Sequence, residues 1–193
     1  MTASTSGPRA RNDLLKLHLG CGAKFLPGFV HIDALDLGHI DQVGPVESLP
    51  QIASGSVDLI YASHVLEHFG RHEYQDVLRE WYRVLRPGGL LRLAVPDFTA
   101  MAEEYVSGRL HNGLSDLVGL CVGGQRDLLD YHKMVFDAEL LTAALLAVGF
   151  GDVVPWDWRT VEHSDVDDYS QAYLPHLDKE SGRLMSLNLE ATK

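Results

Sequence analysis

The apolar positions in the first half of the chain form short uninterrupted runs, each bounded by glycine, proline or an acidic residue. Such runs are typical of buried strands in a parallel sheet, and they predict strands over residues 14–19, 29–33, 57–62 and 90–95. Between the last two runs the apolar period becomes helical, with Leu78, Trp81 and Leu85 on one face of a helix over residues 72–85. Because strand, helix and strand are joined by tight Gly and Pro turns, the pattern predicts a doubly wound, Rossmann-like α/β fold.

The second half of the chain is patterned less regularly. It predicts two helices and two strands: helices over residues 99–107 and 138–148, and strands over residues 153–154 and 184–189. The second helix has Asp137 as its N-cap and Gly149 just after its end. The loose alternation of the last strand is typical of an antiparallel strand at the edge of a mostly parallel sheet, and we expect residues 35–51 to be mostly loop.

Length and composition indicate one globular domain. The chain has 193 residues, 46% of them hydrophobic and 22% charged, which is ordinary for a folded protein. We expect a flexible leader over residues 1–12 and a single domain over residues 13–193. Within this domain, residues 13–97 form the cofactor-binding half, and residues 98–176 contain the substrate-side segments.

The cysteine content and the absence of targeting segments favour a cytoplasmic location. Cys21 and Cys121 are too few for a disulfide framework. The first residues lack the apolar core of a signal peptide, and no apolar run approaches the roughly 20 residues that a membrane span needs.

The formal net charge of −11 opposes functions that depend on neutralising phosphate, so we expect neither a nucleic-acid partner nor a membrane partner. The charge is uneven. Residues 1–96 hold nine basic and ten acidic side chains, whereas residues 97–193 hold seven and seventeen. The acidity is therefore concentrated where a substrate pocket is expected.

The strongest chemical signal is the end of the first predicted strand, which leads into Gly20, Cys21 and Gly22. A Gly-x-Gly turn after a strand lets a ligand lie against bare backbone. Asp33 ends the next strand, where a carboxylate can accept hydrogen bonds from ribose hydroxyls. Taken alone, the Gly-x-Gly segment is weak evidence, because such turns are common without a ligand. Asp33 taken alone is equally compatible with a solvent-facing acid in a loop.

These features occur together with Leu66-Glu67-His68 and with the Arg-Val-Leu-Arg-Pro-Gly-Gly segment at residues 83–89. In this order and spacing, residues 15–97 resemble small class I S-adenosylmethionine-dependent methyltransferases of the "methyltransferase type 11" kind, similar to ones found with polysaccharide biosynthesis. The resemblance implies S-adenosyl-L-methionine as cofactor, and it implies these cofactor-binding residues: Gly20, Cys21, Gly22, Asp33, Val46, Glu47, Ser63 and His64.

Two departures from the family pattern alter the expectation. Only eleven positions separate Gly22 from Asp33, so the first helix of the usual fold is expected to be reduced to a turn around residues 23–27. Pro45 stands where the family often has an acid, so adenine recognition is expected to use backbone groups or another side chain.

The His64-Val65-Leu66-Glu67-His68 segment permits three interpretations. It spells the inverted zinc-protease motif H-x-x-E-H, but that motif requires a continuous helix, and here it follows a strand directly, so we reject it. His64, Glu67, His68 and His132 could together hold a divalent cation, although Mg²⁺ prefers oxygen ligands. We favour general-base catalysis, with His68 or His132 removing the acceptor proton and Glu67 as an orienting group or alternative base.

The expected acceptor pocket combines aromatic rings with carboxylates, which suits a polyhydroxyl ligand or a cation. The candidate substrate residues are Asp97, Tyr131, Trp156 and Tyr169. O-methylation of a sugar or oligosaccharide hydroxyl is the leading hypothesis, and an amine or phenolic acceptor is the alternative. Hypotheses from other classes are a nicotinamide-dependent oxidoreductase and a non-catalytic cofactor-binding module. For the methyltransferase, a homodimer is one expected assembly.

Overall fold

The computed structural model describes residues 14–193, so the leader predicted over residues 1–12 lies outside the described residues. Within these residues there are nine strands: β1 (Lys16–Leu19), β2 (Val30–Asp33), β3 (Gln42–Val43), β4 (Val57–Ser63), β5 (Leu85–Pro96), β6 (Gly151–Pro155), β7 (Tyr173–Leu174), β8 (Arg183–Leu184) and β9 (Ser186–Thr192). Four helices accompany them: α1 (Tyr74–Val84), α2 (Phe98–Ser107), α3 (Val118–Val122) and α4 (Ala138–Val148).

Seven strands form the main sheet in the order β3-β2-β1-β4-β5-β9-β6, and β7 pairs with β8 in a small separate sheet. The first five strands are mutually parallel, while β9 runs antiparallel to both β5 and β6. This confirms the predicted α/β fold, with a mostly parallel sheet and antiparallel pairing at one edge.

Helices α1 and α4 cover one face of the sheet and bury its apolar side chains. Val77, Leu78 and Trp81 of α1 are almost completely buried, as the helical period predicted. The Trp81 indole Nε1 donates to the carbonyl of Val46 at 2.9 Å, which ties α1 to the loop after β3. This contact positions one wall of the cleft described below.

The predicted boundaries differ most at the start of β5. Helix α1 ends at Val84 because Leu85 is already extended, and β5 begins at Leu85 rather than at residue 90. The Pro-Gly-Gly segment therefore lies within the strand, where Gly88 N donates to Lys193 O at 2.7 Å and the pairing with β4 shifts register after Val57. The two-residue strand β3 also lies within the segment predicted as loop.

The segment between β1 and β2 forms turns, as expected for a reduced first helix. Lys24 N donates to the carbonyl of Cys21 at 3.0 Å, and Phe29 N donates to the carbonyl of Leu26 at 3.2 Å. Helices α2 and α4 begin where predicted, with Asp97 and Asp137 as side-chain N-caps.

The other face of the sheet is covered by the chain after β6. Tyr61 of β4 is fully buried, and its hydroxyl donates to Asp168 Oδ2 at 2.5 Å. Trp156 packs edge-on against the Tyr61 ring and donates from Nε1 to Leu93 O at 2.9 Å. Over residues 14–193, no helix has both the length and the apolar content for crossing a membrane.

Candidate active site

A cleft of about 880 Å³ opens where β1, β2 and β4 end. Carboxyl ends of adjacent parallel strands are the usual ligand-binding edge of such a sheet. The cleft is lined by residues from each of these strand ends and from the loop after β3, including the predicted Gly20, Gly22, Asp33, Val46, Glu47 and His64.

Gly20, directly after β1, is a position that requires glycine. Its φ is +60°, and a Cβ placed there would lie 2.6 Å from Cγ2 of Val65. Gly22 also has positive φ, at +52°, but a Cβ there would meet open space. The turn therefore presents bare backbone to the cleft, which fits a cofactor lying directly against it.

Asp33 ends β2 with its carboxylate almost buried, at 8% exposure. Oδ2 accepts from Gly22 N at 2.8 Å, and Oδ1 accepts from Leu35 N at 2.9 Å. A carboxylate oxygen has two acceptor positions, so each oxygen can still accept from a ligand hydroxyl. Asp33 therefore fixes the glycine turn and faces the cleft at the same time.

The residues predicted to flank adenine are on the wall of the cleft. Val46 is buried and offers its side chain, since its carbonyl is bonded to Trp81. Glu47 is exposed at the rim. Pro45 lies beside them on the same wall.

Cys21 and Ser63 were also predicted to bind cofactor, but within the described chain they do not line this cleft or its neighbour. Cys21 is 4% exposed, and burial raises the pKa of its thiol to about 12, which excludes it as a nucleophile near neutral pH. The Ser63 hydroxyl is buried and makes no protein hydrogen bond.

His64 directly follows β4 and has an unusual backbone conformation, with φ at +55°. Its side chain is 6% exposed, and burial lowers its pKa to about 3, so it is neutral at pH 7. His64 Nε2 lies 3.2 Å from Ser186 Oγ, whose proton is donated to Asn188 Oδ1. Nε2 therefore donates, and the lone pair is on Nδ1.

The Nδ1 atom of His64 faces Glu67, a carboxyl that is completely buried. Nδ1 and Oε1 are 3.3 Å apart. Burial raises the pKa of Glu67 to about 8, so this carboxyl is predominantly protonated at pH 7. Neither of its oxygens has a hydrogen-bond partner of good geometry.

Glu67 and His68 belong to one turn of 3₁₀ helix, Leu66–His68, and the chain around residue 132 is bonded to that turn. Lys133 N and Met134 N both donate to the Glu67 carbonyl, at 2.8 and 3.1 Å. The rings of His68 and His132 consequently lie 4.9 Å apart, nearly perpendicular. The structure thus brings together the three predicted catalytic residues, which are up to 65 positions apart in sequence.

Burial lowers the pKa of both His68 and His132, so both rings are neutral at pH 7. His68 Nδ1 lies 3.1 Å from the carbonyl oxygen of Tyr131, and His132 Nδ1 lies 2.9 Å from that of Leu120. A carbonyl oxygen can only accept, so Nδ1 carries the proton in each ring. Each Nε2 therefore has an available lone pair.

A second cavity of about 630 Å³ adjoins the cleft. His64, His68, Arg126 and Asp130 line both cavities, so the histidines lie at their junction. The second cavity is otherwise formed by the segments around residues 116–132 and 167–177, together with Lys24 and Met185.

Most of the acidity of the second cavity is bonded within the protein. Asp130 pairs with Arg126 at 2.6 Å, and Asp167 pairs with Lys179 at 2.7 Å. Asp168 accepts from Tyr61. Asp116 likewise accepts from the Asn112 side chain at 2.8 Å. Ion pairs therefore neutralise two of these four carboxylates, and the other two are hydrogen-bonded to neutral groups.

Of the four predicted substrate residues, only Tyr169 lines the second cavity, and its ring lies 5.3 Å from that of His64. Asp97 caps α2 through a bond from Ala100 N at 3.2 Å. Trp156 is packed on the far face of the sheet. Tyr131 contributes the carbonyl that orients His68.

Sequence reasoning missed Arg126 and Asp130, which lie at this junction. They lie in irregular segments whose composition resembles any polar loop. Their position depends on backbone bonds such as Gln125 N to Asp130 O at 2.8 Å, for which the sequence offers no pattern.

Comparison with known proteins agrees with this geometry. Residues 30–93 match the model of a family described as "Methyltransferase domain". The matched range spans about a third of the chain. The matched range contains β2, β4, α1 and most of β5, together with Asp33, His64, Glu67 and His68. No curated protein matches the sequence.

Solved structures with the same fold are numerous. A SAM-dependent methyltransferase from Archaeoglobus fulgidus is 15% identical with a TM-score of 0.56, covering 94% of this chain and 87% of that chain. A SAM-dependent methyltransferase from Thermotoga maritima, described as a possible histamine N-methyltransferase, is 16% identical (TM-score 0.55; 93% and 82% covered).

The 1,6-didemethyltoxoflavin-N1-methyltransferase of Burkholderia thailandensis, solved with bound 1,6-didemethyltoxoflavin and S-adenosylhomocysteine, is also 16% identical (TM-score 0.55; 93% and 70% covered). At these identities the likeness shows the shared fold. Together with the matched domain, it supports a class I methyltransferase with S-adenosylmethionine as methyl donor.

Proposed function

We propose that this methyltransferase domain transfers a methyl group to a hydroxyl of a sugar or oligosaccharide. The observation that carries the proposal is the junction of the two cavities at His64 and His68, where a cofactor in the cleft and an acceptor in the second cavity would meet. The ion pairs that neutralise Asp130 and Asp167 in the second cavity favour a neutral acceptor over a cation. Tyr169 and Tyr173 supply aromatic faces for a sugar ring.

The cleft residues would bind the cofactor as follows. The backbone of Gly20 and Gly22 would lie along its methionine part, Asp33 would accept from the ribose hydroxyls, and Val46 and Glu47 would flank the adenine. The bound cofactor supplies an electrophilic methyl group on a sulfonium. His64, at the junction, closes the cleft on the side that faces the acceptor.

The chain's role in the reaction is to position the acceptor and take its proton, since methyl transfer is an in-line displacement. The hydroxyl proton of the acceptor would pass to the Nε2 lone pair of His68 or His132 as the oxygen accepts the methyl group that the cofactor would supply. Both imidazoles are neutral and have their Nδ1 protons fixed by carbonyls, as a general base requires. Glu67 Oε1 lies 3.3 Å from His64 Nδ1 and 3.9 Å from His132 Nε2.

A methyl-transfer assay with radiolabelled S-adenosylmethionine tests the proposal across neutral sugars, amines and phenols. We expect transfer to a sugar hydroxyl, with kcat lowered by at least about tenfold in His68→Ala or His132→Ala, as for loss of a general base. The exposed His72→Ala is the matched control. Transfer to amines or phenols alone would show that the acceptor is not a sugar. Full turnover in both histidine variants would show that neither His68 nor His132 is the general base.

Two outcomes would point to another class of function. S-adenosylhomocysteine binding without transfer to any acceptor would indicate a non-catalytic cofactor-binding module, and NAD binding in its place would indicate an oxidoreductase.

For the cellular setting we propose the cytoplasm, because Cys21 and Cys121 are both free thiols. A homodimer remains the assembly to test by light scattering.

A further inference from the structure

Three potential metal ligands, Glu67, His68 and His132, lie close together beside the junction of the two cavities. The ligating atoms of Glu67, His68 and His132 all lie within 4.8 Å of one another, and His132 Nε2 is 3.9 Å from Glu67 Oε1. A tetrahedral zinc ion binds nitrogen and oxygen ligands at about 2.1 Å, which places neighbouring ligand atoms about 3.4 Å apart. Small side-chain rotations would therefore bring these atoms to coordination distance.

The protonation of both imidazoles suits metal binding. The Nδ1 protons of His68 and His132 are each donated to a backbone carbonyl, at 3.1 and 2.9 Å. This is the arrangement by which proteins orient a metal-binding histidine and leave Nε2 as the ligand. The two accepting carbonyls, those of Tyr131 and Leu120, belong to separate segments of the backbone.

The Glu67 carboxyl supplies a second and independent observation. It is completely buried, yet neither oxygen has a hydrogen-bond partner of good geometry. An unpartnered buried carboxyl is costly, and such groups are normally compensated by hydrogen bonds, an ion pair or a metal ion. An ion between Glu67 and the two imidazoles would provide that compensation.

We propose that Glu67, His68 and His132 bind a divalent transition-metal ion at the junction of the two cavities. Two nitrogen ligands and one oxygen ligand favour Zn²⁺ over Mg²⁺, which prefers oxygen ligands and octahedral geometry. Because a carboxyl binds metal only as the carboxylate, binding displaces the Glu67 proton.

The ion would have an open position toward the acceptor. His68 and His132 both line the second cavity, so a hydroxyl entering that cavity could occupy the fourth ligand position. The ion would then lower the pKa of that hydroxyl, in place of proton removal by a free imidazole. The binding site itself does not depend on the proposed acceptor class, whereas this use of it rests on the proposed function.

Calorimetric titration of chelator-treated protein with Zn²⁺ tests the site directly. We expect one ion per chain, binding weakened at least about tenfold in Glu67→Gln and in His132→Ala, and much weaker binding of Mg²⁺. His111→Ala, which changes an exposed histidine outside the cluster, should bind Zn²⁺ as the wild type does. Replacement of Zn²⁺ by Co²⁺ should give the intense visible absorption of a tetrahedral site, lost in the same two variants.

S-adenosylhomocysteine binding, measured on each variant in the presence of chelator, reports whether the fold and the cleft are intact. Absence of saturable Zn²⁺ binding, or binding unaffected by Glu67→Gln and His132→Ala in variants that retain S-adenosylhomocysteine binding, would overturn the metal site. If methyl transfer persists in the presence of chelator, the proposed function holds and the metal ion has no part in it. Zn²⁺ binding without transfer to any acceptor would leave the metal site standing alone.

Discussion

At the scale of single residues, Gly20 is constrained twice, by its positive φ and by the closeness of Val65. We predict that Gly20→Ala destabilises the protein by about 1–3 kcal/mol, because it adds left-handed strain and overpacks the turn. Gly22→Ala, where a Cβ meets open space, should cost only the strain. Urea denaturation measures both, and equal stability losses in the two variants would contradict the role of Val65.

The buried Glu67 carboxyl gives a pH prediction of definite sign. Its pKa rises from the ordinary 4.5 to about 8, so between these values the unfolded chain has lost a proton that the folded chain keeps. Stability of the wild type should therefore fall as pH rises from about 5 to about 8, and change no further from this source above that range.

Glu67→Gln removes this dependence, so its stability relative to wild type should improve by up to about 1.4 kcal/mol per pH unit across that window. Denaturation in urea with chelator present, at several pH values, measures the difference. A constant difference between the two proteins from pH 5 to pH 8 would show that Glu67 is ionised in the folded state.

The sequence predicted some of these residues and could not predict others. Gly20 and Asp33 are visible because a strand end followed by glycine or an acid has a physical meaning by itself. The proximity of His132 to Glu67 is not visible, because it depends on bonds from the backbone of Lys133 and Met134 to a turn 64 or more positions earlier.

At the scale of elements, Asp97 is the N-cap of α2, and this geometry favours a structural role over the substrate contact expected from sequence. We predict that Asp97→Ala costs about 1 kcal/mol, whereas Asp97→Ser preserves the cap and most of the stability. The KM for the acceptor should stay unchanged in both. A raised KM in a fully stable Asp97→Ser protein would restore the substrate role.

Elements with a strong period or a side-chain cap were predicted within one or two residues, as α1, α2 and α4 show. The start of β5 was not predicted correctly. Pro and Gly normally end an element, whereas here the strand continues through them with a change of register. β3 has two residues and α3 has five, too few for a period to be detected.

At the scale of the whole molecule, the fold changes the interpretation of the uneven distribution of charge along the chain. The sequence suggested an uncharged or cationic acceptor, because the second half holds most of the acidity. The structure pairs much of this acidity internally, for example Glu162 with Lys16 and Arg92 on the far face of the sheet. The location of these pairs requires the tertiary fold and could not be obtained from composition.

A neutral acceptor implies that binding responds little to salt. We predict that the KM for the acceptor changes by less than about twofold between roughly 0.05 and 0.5 M NaCl, since only exposed, unpaired charges are screened over that range. Steady-state kinetics at constant cofactor concentration measures it. A several-fold rise in KM with salt would instead identify a cationic acceptor.

The central claim is that the cleft at the ends of β1, β2 and β4 binds the methyl donor, and calorimetric titration with S-adenosylhomocysteine tests it most directly. We predict one site per chain, with affinity reduced at least about tenfold in Asp33→Ala, which removes the ribose acceptor and the bond to Gly22. The exposed Asp36→Ala, three positions away, should bind as the wild type does. Absence of binding, or equal affinity in wild type and a folded Asp33→Ala protein, would contradict the account.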